Sequence, residues 1–126
     1  MVRSMKIYNE TIRFSTRGEI EFIDLTAKVE EVVDKSGIKN GLVHVFAPHA
    51  TGILILTENE PGLLGDIKEF LERVIPKLGS YRHPSNAHSH IRSMLLPPDK
   101  TLPLVNGRLV MGTCLLYTSP SPRDRG

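Results

Sequence analysis

The sequence predicts one domain in which short strands and amphipathic helices are combined, and three observations lead to it. Two apolar, partly β-branched runs, Leu42-Val43-His44-Val45-Phe46-Ala47 and Ile53-Leu54-Ile55-Leu56-Thr57, have the length and composition of central strands. Leu63, Leu64, Ile67, Phe70, Leu71, Val74 and Ile75 recur at helical spacing. Asn106-Gly107, lying between Thr101–Val105 and Arg108–Met111, is the dipeptide of a two-residue hairpin turn. At 126 residues the chain can bury a core without disulfides or a structural metal.

The stretch from Ile7 to Ser15 reads as a half-buried strand, because Ile12-Arg13-Phe14 alternates apolar and polar. Glu19-Ile20-Glu21-Phe22 alternates again after a turn at Gly18, so the two predict an antiparallel pair. Asp24 or Thr26 can cap a helix whose stripe is Leu25, Val29, Val32 and Val33, with Gly37 as its left-handed stop. Pro61 suits the first turn of the next helix, where a missing amide proton is harmless, and Pro76 ends it. A third helix begins near Asn86, carries Ile91, Met94 and Leu95, and closes at Pro97-Pro98. Pro103 predicts that its strand lies at an edge or bulge. From Cys114 the chain leaves the strand pattern and becomes rich in Pro, Ser and Gly. The domain is therefore expected over 1–113 and an artefactual or disordered tail over 114–126, which leaves Cys114 no role as a nucleophile.

Composition narrows the function. A formal charge of +2, with Lys and Arg scattered, gives no footprint for nucleic acid or a membrane surface, while a small anion stays compatible. No apolar run approaches the roughly 20 residues that span a bilayer, and a lone cysteine suits a reducing compartment, so the cytoplasm is expected.

Three of the five histidines, His83, His88 and His90, fall between Tyr81 and His90, and a fourth, His49, stands in Pro48-His49-Ala50-Thr51-Gly52 between two strands. Convergence of these stretches would make a polar, metal-binding site. A catalytic zinc keeps three protein ligands and an open position, and imidazoles bind it at about 2.0–2.1 Å. On a helix His88 and His90 are about 200° apart, so only one of them can face an ion. His44, within a strand, reads as a hydrogen-bonded structural histidine. From the residues alone two readings stand, a three-histidine metal site and separate hydrogen-bonded or surface histidines.

The ordered set His49-Ala50-Thr51, Thr57-Glu58-Asn59, Asp66, Tyr81-x-His83, Asn86-Ala87-x-x-His90 and Val105-Asn106-Gly107-Arg108-Leu109-x-x-Gly112-Thr113 resembles the YjbQ family, also called the secondary thiamine-phosphate synthase or UPF0047 family. The resemblance covers about residues 6 to 113. It implies a compact α+β fold, a mixed β-sheet with helices packed on it, and a homotrimer with sites near subunit contacts. It also implies a weak transferase activity that joins an aminopyrimidine methyl pyrophosphate to a thiazole phosphate and releases pyrophosphate. The partner is then a small phosphorylated substrate, and the cofactor a divalent metal, zinc or magnesium. On the same ground His49, His83 and His90 are metal ligands, and Glu58 acts with His49 and His90 in catalysis, orienting a histidine or accepting a proton. Thr51, Asn86 and Arg108 bind substrate phosphate. Each of these four has a structural alternative: a strand-start hydroxyl for Thr51, a helix cap for Asn86, a solvated carboxylate for Glu58, a hairpin surface charge for Arg108. Pro97 stands where the family has glycine. The family continues past Gly-Thr with Trp-Gln and a closing strand, and here the tail stands in its place, so the final strand is expected to be replaced and a sheet edge exposed. The rival functions are a non-catalytic metal- or phosphometabolite-binding protein and a structural trimer component.

Overall fold

The computed structural model describes residues 4–15, 21–48, 52–83 and 85–119. Among them the elements run β1 (Glu21–Asp24), α1 (Thr26–Ser36), β2 (Gly41–Phe46), β3 (Ile53–Thr57), α2 (Pro61–Val74), α3 (Ala87–Leu95), β4 (Asp99–Val105), β5 (Arg108–Leu109) and β6 (Cys114–Ser119). The class is α+β. Instead of one mixed sheet, the strands make two three-stranded antiparallel sheets, β1-β6-β3 and β2-β4-β5.

Local chemistry sets the helix ends. The Asp24 carboxylate accepts from the Thr26 amide (3.0 Å) where α1 starts, and Gly37 ends that helix at φ 70°. The Glu60 carboxylate accepts from the amides of Gly62 (2.9 Å) and Leu63 (2.6 Å), satisfying two orphan donors of α2, with Pro61 beside it. Asn106 and Gly107 take φ of 52° and 79°, the left-handed pair that a tight hairpin between β4 and β5 requires.

The sequence reading of Cys114 onward as a tail is corrected here. β6 is the middle strand of its sheet, with Phe22 opposite Thr118 on one side and Leu54 opposite Tyr117 on the other. Leu115, Leu116, Tyr117 and Thr118 are all buried, so the closing strand is in place. A strand covered on both faces shows no apolar–polar alternation, which is why Leu-Leu-Tyr-Thr lacks the half-buried signature. Residues 120–126 lie outside the described residues.

Three further expectations change. The runs at β2 and β3 occupy outer positions, and the centres belong to β4 and β6. Pro103 therefore sits in a central strand, opposite Leu42 of β2. Its carbonyl accepts from the Val110 amide (2.9 Å), and its missing N–H falls where the short β4–β5 ladder ends, so little is lost. Finally, residues 4–15 form an irregular strap and no hairpin arm. Residues 16–20 lie outside the described residues, and β1 pairs with β6.

Leu25, Val29, Ala47, Leu54, Leu115 and Tyr117 form the core, with Ile12 and Phe14 of the strap packed against it. The Phe14 ring meets Tyr117 edge-on at 4.9 Å. The prolines that close α3 join the sheets: the Pro97 carbonyl accepts from Leu54 (3.2 Å) and that of Pro98 from Ala47 (2.9 Å).

Candidate functional site

The approach to α3 holds the polar cluster. Ser85 takes φ 64°, a left-handed conformation unusual for a residue with a side chain. His83 lies just before this turn and Asn86 just after it, and His83 Nε2 and Asn86 Oδ1 are 3.0 Å apart. Since an amide oxygen only accepts, Nε2 is the donor, which in the neutral tautomer leaves the lone pair on Nδ1. Asn86 is the N-cap residue by position, but its side chain makes no cap bond and holds His83 instead. One turn into α3, the His90 ring lies edge-on to that of His83, with centroids 5.1 Å apart.

The helical angle between His88 and His90 has the consequence read from the sequence. His90 is half-buried beside His83, whereas His88 is 2% exposed and its Nε2 lies 3.3 Å from Ser89 Oγ. His44 makes the structural contact expected of it, with Nδ1 at 2.8 Å from Thr101 Oγ1.

His49 and Thr51 lie outside the described residues, but their flanks are placed. The Ser93 hydroxyl donates to the Gly52 carbonyl (3.2 Å), and Ser93 is one turn beyond His90, roughly 4.5 Å along the axis. Ala47 and Leu54 are both tied to the chain that leaves α3. The described residues on either side of 49–51 are thus held to α3 and to the chain that leaves it.

Glu58 and Arg108 are elsewhere. Glu58 is exposed beyond the far end of β3, six strand steps or roughly 20 Å from Gly52. Arg108 pairs with Val105 at the opposite end of β4 from Asp99, again roughly 20 Å from the exit of α3. These two share one end of the molecule. Cys114 is opposite Thr57, next to Glu58, and the adjoining Thr113 borders a hollow with Arg108, Glu30 and Asp34. Asp24 stands there too, its Oδ2 accepting from Asn59 (3.1 Å). Burial pushes the Asp24 carboxyl up, but hydrogen bonds from Thr26, Asn59 and Cys114 outweigh this and hold it below its usual range.

Sequence reasoning missed Arg92. It is fully buried, and its Nε (3.1 Å) and Nη2 (2.8 Å) both donate to the Ile75 carbonyl, which puts a cation on the C-terminal end of α2 and fixes α3 against it. A buried arginine has no local signature. Its spacing of four from His88, on one helical face, was the available clue.

The described donor set suits a divalent ion in part. His83 offers Nδ1 while Asn86 fixes its other nitrogen, the arrangement that orients metal-bound imidazoles, and His90 is adjacent. Among the described residues no group of three or more His, Cys, Asp and Glu is close enough to hold a metal. Also among the described residues, no helix is long and apolar enough to cross a membrane.

An α+β domain with a histidine pair at the start of its third helix is thus the class that fold and site define. The profile of the UPF0047 protein YjbQ-like family matches residues 10–115. The chain belongs to this family. It is 39% identical over 112 residues to a UPF0047 protein of Methanothermobacter thermautotrophicus, covering 86% of this chain and 78% of that one. A UPF0047 protein of Archaeoglobus fulgidus is 38% identical over 120 residues, covering 90% and 93%. Among solved structures, an uncharacterized conserved protein of the YjbQ/UPF0047 family from Clostridium acetobutylicum superposes with a TM-score of 0.82 at 35% identity, over 91% of this chain and 95% of that one. A protein of unknown function from Sulfolobus solfataricus superposes with a TM-score of 0.84 at 33% identity, over 89% and 86%.

Proposed function

We propose that the chain is a cytoplasmic thiamine-phosphate synthase-like transferase whose site is assembled between copies of a homotrimer. The observation that carries this reading is the His83–Asn86–His90 cluster at the start of the helix that also holds Gly52, with Glu58 and Arg108 roughly 20 Å away on the same chain. Residues that distant meet one substrate only when the two ends come from neighbouring copies. Exposed Leu42, Phe46, Phe70, Val74, Leu78 and Met94 supply apolar surface for such contacts.

In the reaction the ring nitrogen of the thiazole phosphate attacks the methylene carbon of the aminopyrimidine methyl pyrophosphate. The new C–N bond forms as the C–O bond breaks, and the electron pair leaves with pyrophosphate. The leaving group needs its charge stabilised. His83 and His90, with His49, would hold zinc or magnesium, which when bound supplies that positive charge. The Asn86 amide hydrogens and the Thr51 hydroxyl donate to phosphate oxygens. From the neighbouring copy, Arg108 pairs with the thiazole phosphate and Glu58 orients a histidine. A non-catalytic phosphometabolite binder is the second reading, favoured by the same cluster.

Pyrophosphate release from the two precursors tests the assignment. His90→Ala and Glu58→Ala chains should each fall to background alone. Mixed in equal amounts after dissociation and reassembly, they should recover about a quarter of wild-type activity, because random assortment pairs an intact histidine end with an intact Glu58 end in that fraction of sites. Background in the mixture would sink the shared site. Background in the wild type, with phosphate still bound, would favour the binder.

A further inference from the structure

Between the strap, α1 and the inward face of β2 lies a cavity of about 330 Å³. Val29, Val32, Val33, Val43, Val45 and Leu54 form much of its wall. Val43 and Val45 point inward yet are only half-buried, which is what a hollow beneath the strap leaves behind. For comparison, an apolar cavity of about 150 Å³ is enough to take up benzene.

The cover is held by side chains. Among the described residues, 4–15 make no backbone hydrogen bond to the body. Their ties are the Glu10–Lys35 ion pair at 3.5 Å, the Lys28 ammonium 5.4 Å from the centre of the Phe14 ring, and the packing of Ile12 and Phe14. A segment without ladder bonds can lift and reseat with little loss.

From these features we infer that the cavity is a binding site for an uncharged, largely aromatic or aliphatic small molecule about twice the size of benzene, admitted by movement of residues 8–14. Charge is excluded by what borders the space. Besides the phenols of Tyr8 and Tyr117, the ionisable side chains at its wall are Glu10, engaged by Lys35, and His44, engaged by Thr101. A charged ligand would lose its water with no counter-charge to replace it. Asn9 and Thr11 on the strap offer hydrogen bonds to one polar end of a guest. This site is separate from the histidine cluster and takes a different chemistry from the phosphorylated substrate.

The probe for the test is N-phenyl-1-naphthylamine, which is neutral and fluoresces in apolar surroundings. The wild-type chain should bind it with a dissociation constant on the order of 10 µM, shifting the methyl resonances of Val32, Val43 and Val45. Filling the space from either wall, with Val43→Phe or Val32→Phe, should weaken binding at least tenfold. Leu78→Ser, 96% exposed and outside the cavity wall, should leave it unchanged, which separates the cavity from exposed apolar surface. The proposal is overturned if the probe does not bind, if the shifts are confined to Val74, Leu78 and Met94, or if Leu78→Ser weakens binding as much as the filled variants. Should both filled variants misfold, the methyl map of the wild type decides alone.

Discussion

Glu60 and Asp24 show how single carboxylates shape this molecule. The amides of Gly62 and then Leu63 hold Glu60 below its ordinary range, and the bonds described above do the same for Asp24 against the opposing effect of burial. A carboxyl with a folded pKa below its unfolded one adds stability above the unfolded value, near pH 4, and that stability disappears as pH falls through the folded value. The urea midpoint should therefore drop between about pH 5 and pH 2.5, and drop less in an Asp24→Asn, Glu60→Gln double variant. Equal slopes in the two chains would count against this account. At the same scale, the divergence of His88 and His90 was legible from helical geometry, while the choice between them was not. Arg92 was not, because its burial depends on where α2 ends.

Among the elements, β6 carries the most weight. Leu116 is fully buried at the middle of its sheet, so Leu116→Ala should destabilise by about 3 kcal/mol in urea unfolding. Val105→Ala, at a half-exposed position next to the hairpin turn, should cost less than about 1 kcal/mol. Similar losses would mean that β6 is not the central strand. The elements that could be read from sequence were those with a local stop or start: Pro61 at the first turn of α2, Gly37 after α1, Asn106-Gly107 between β4 and β5. Those that could not were decided by distant partners. The strap alternates like a strand but has no ladder partner among the described residues, while Leu-Leu-Tyr-Thr has two partners and no alternation.

For the whole molecule, strand direction separates what the motifs suggested belonged together. The family pattern lists Glu58, His90 and Arg108 in one series, yet β3 and β4 carry the first and last of them away from α3. No periodicity in the chain encodes that distance. Mixing the two inactive chains therefore reports on geometry as well as on chemistry.

The pairing of Glu21 with Ser119 joins positions roughly a hundred residues apart, and the ring it closes has a high entropic threshold. Refolding from urea should accordingly run on the slow millisecond-to-second scale of non-local topologies, and Leu116→Ala should mainly quicken unfolding if β6 docks late. Stopped-flow traces would reveal it. Before docking, β1 and β3 present unsatisfied edges to every other chain in solution, so yield on refolding should fall as concentration rises.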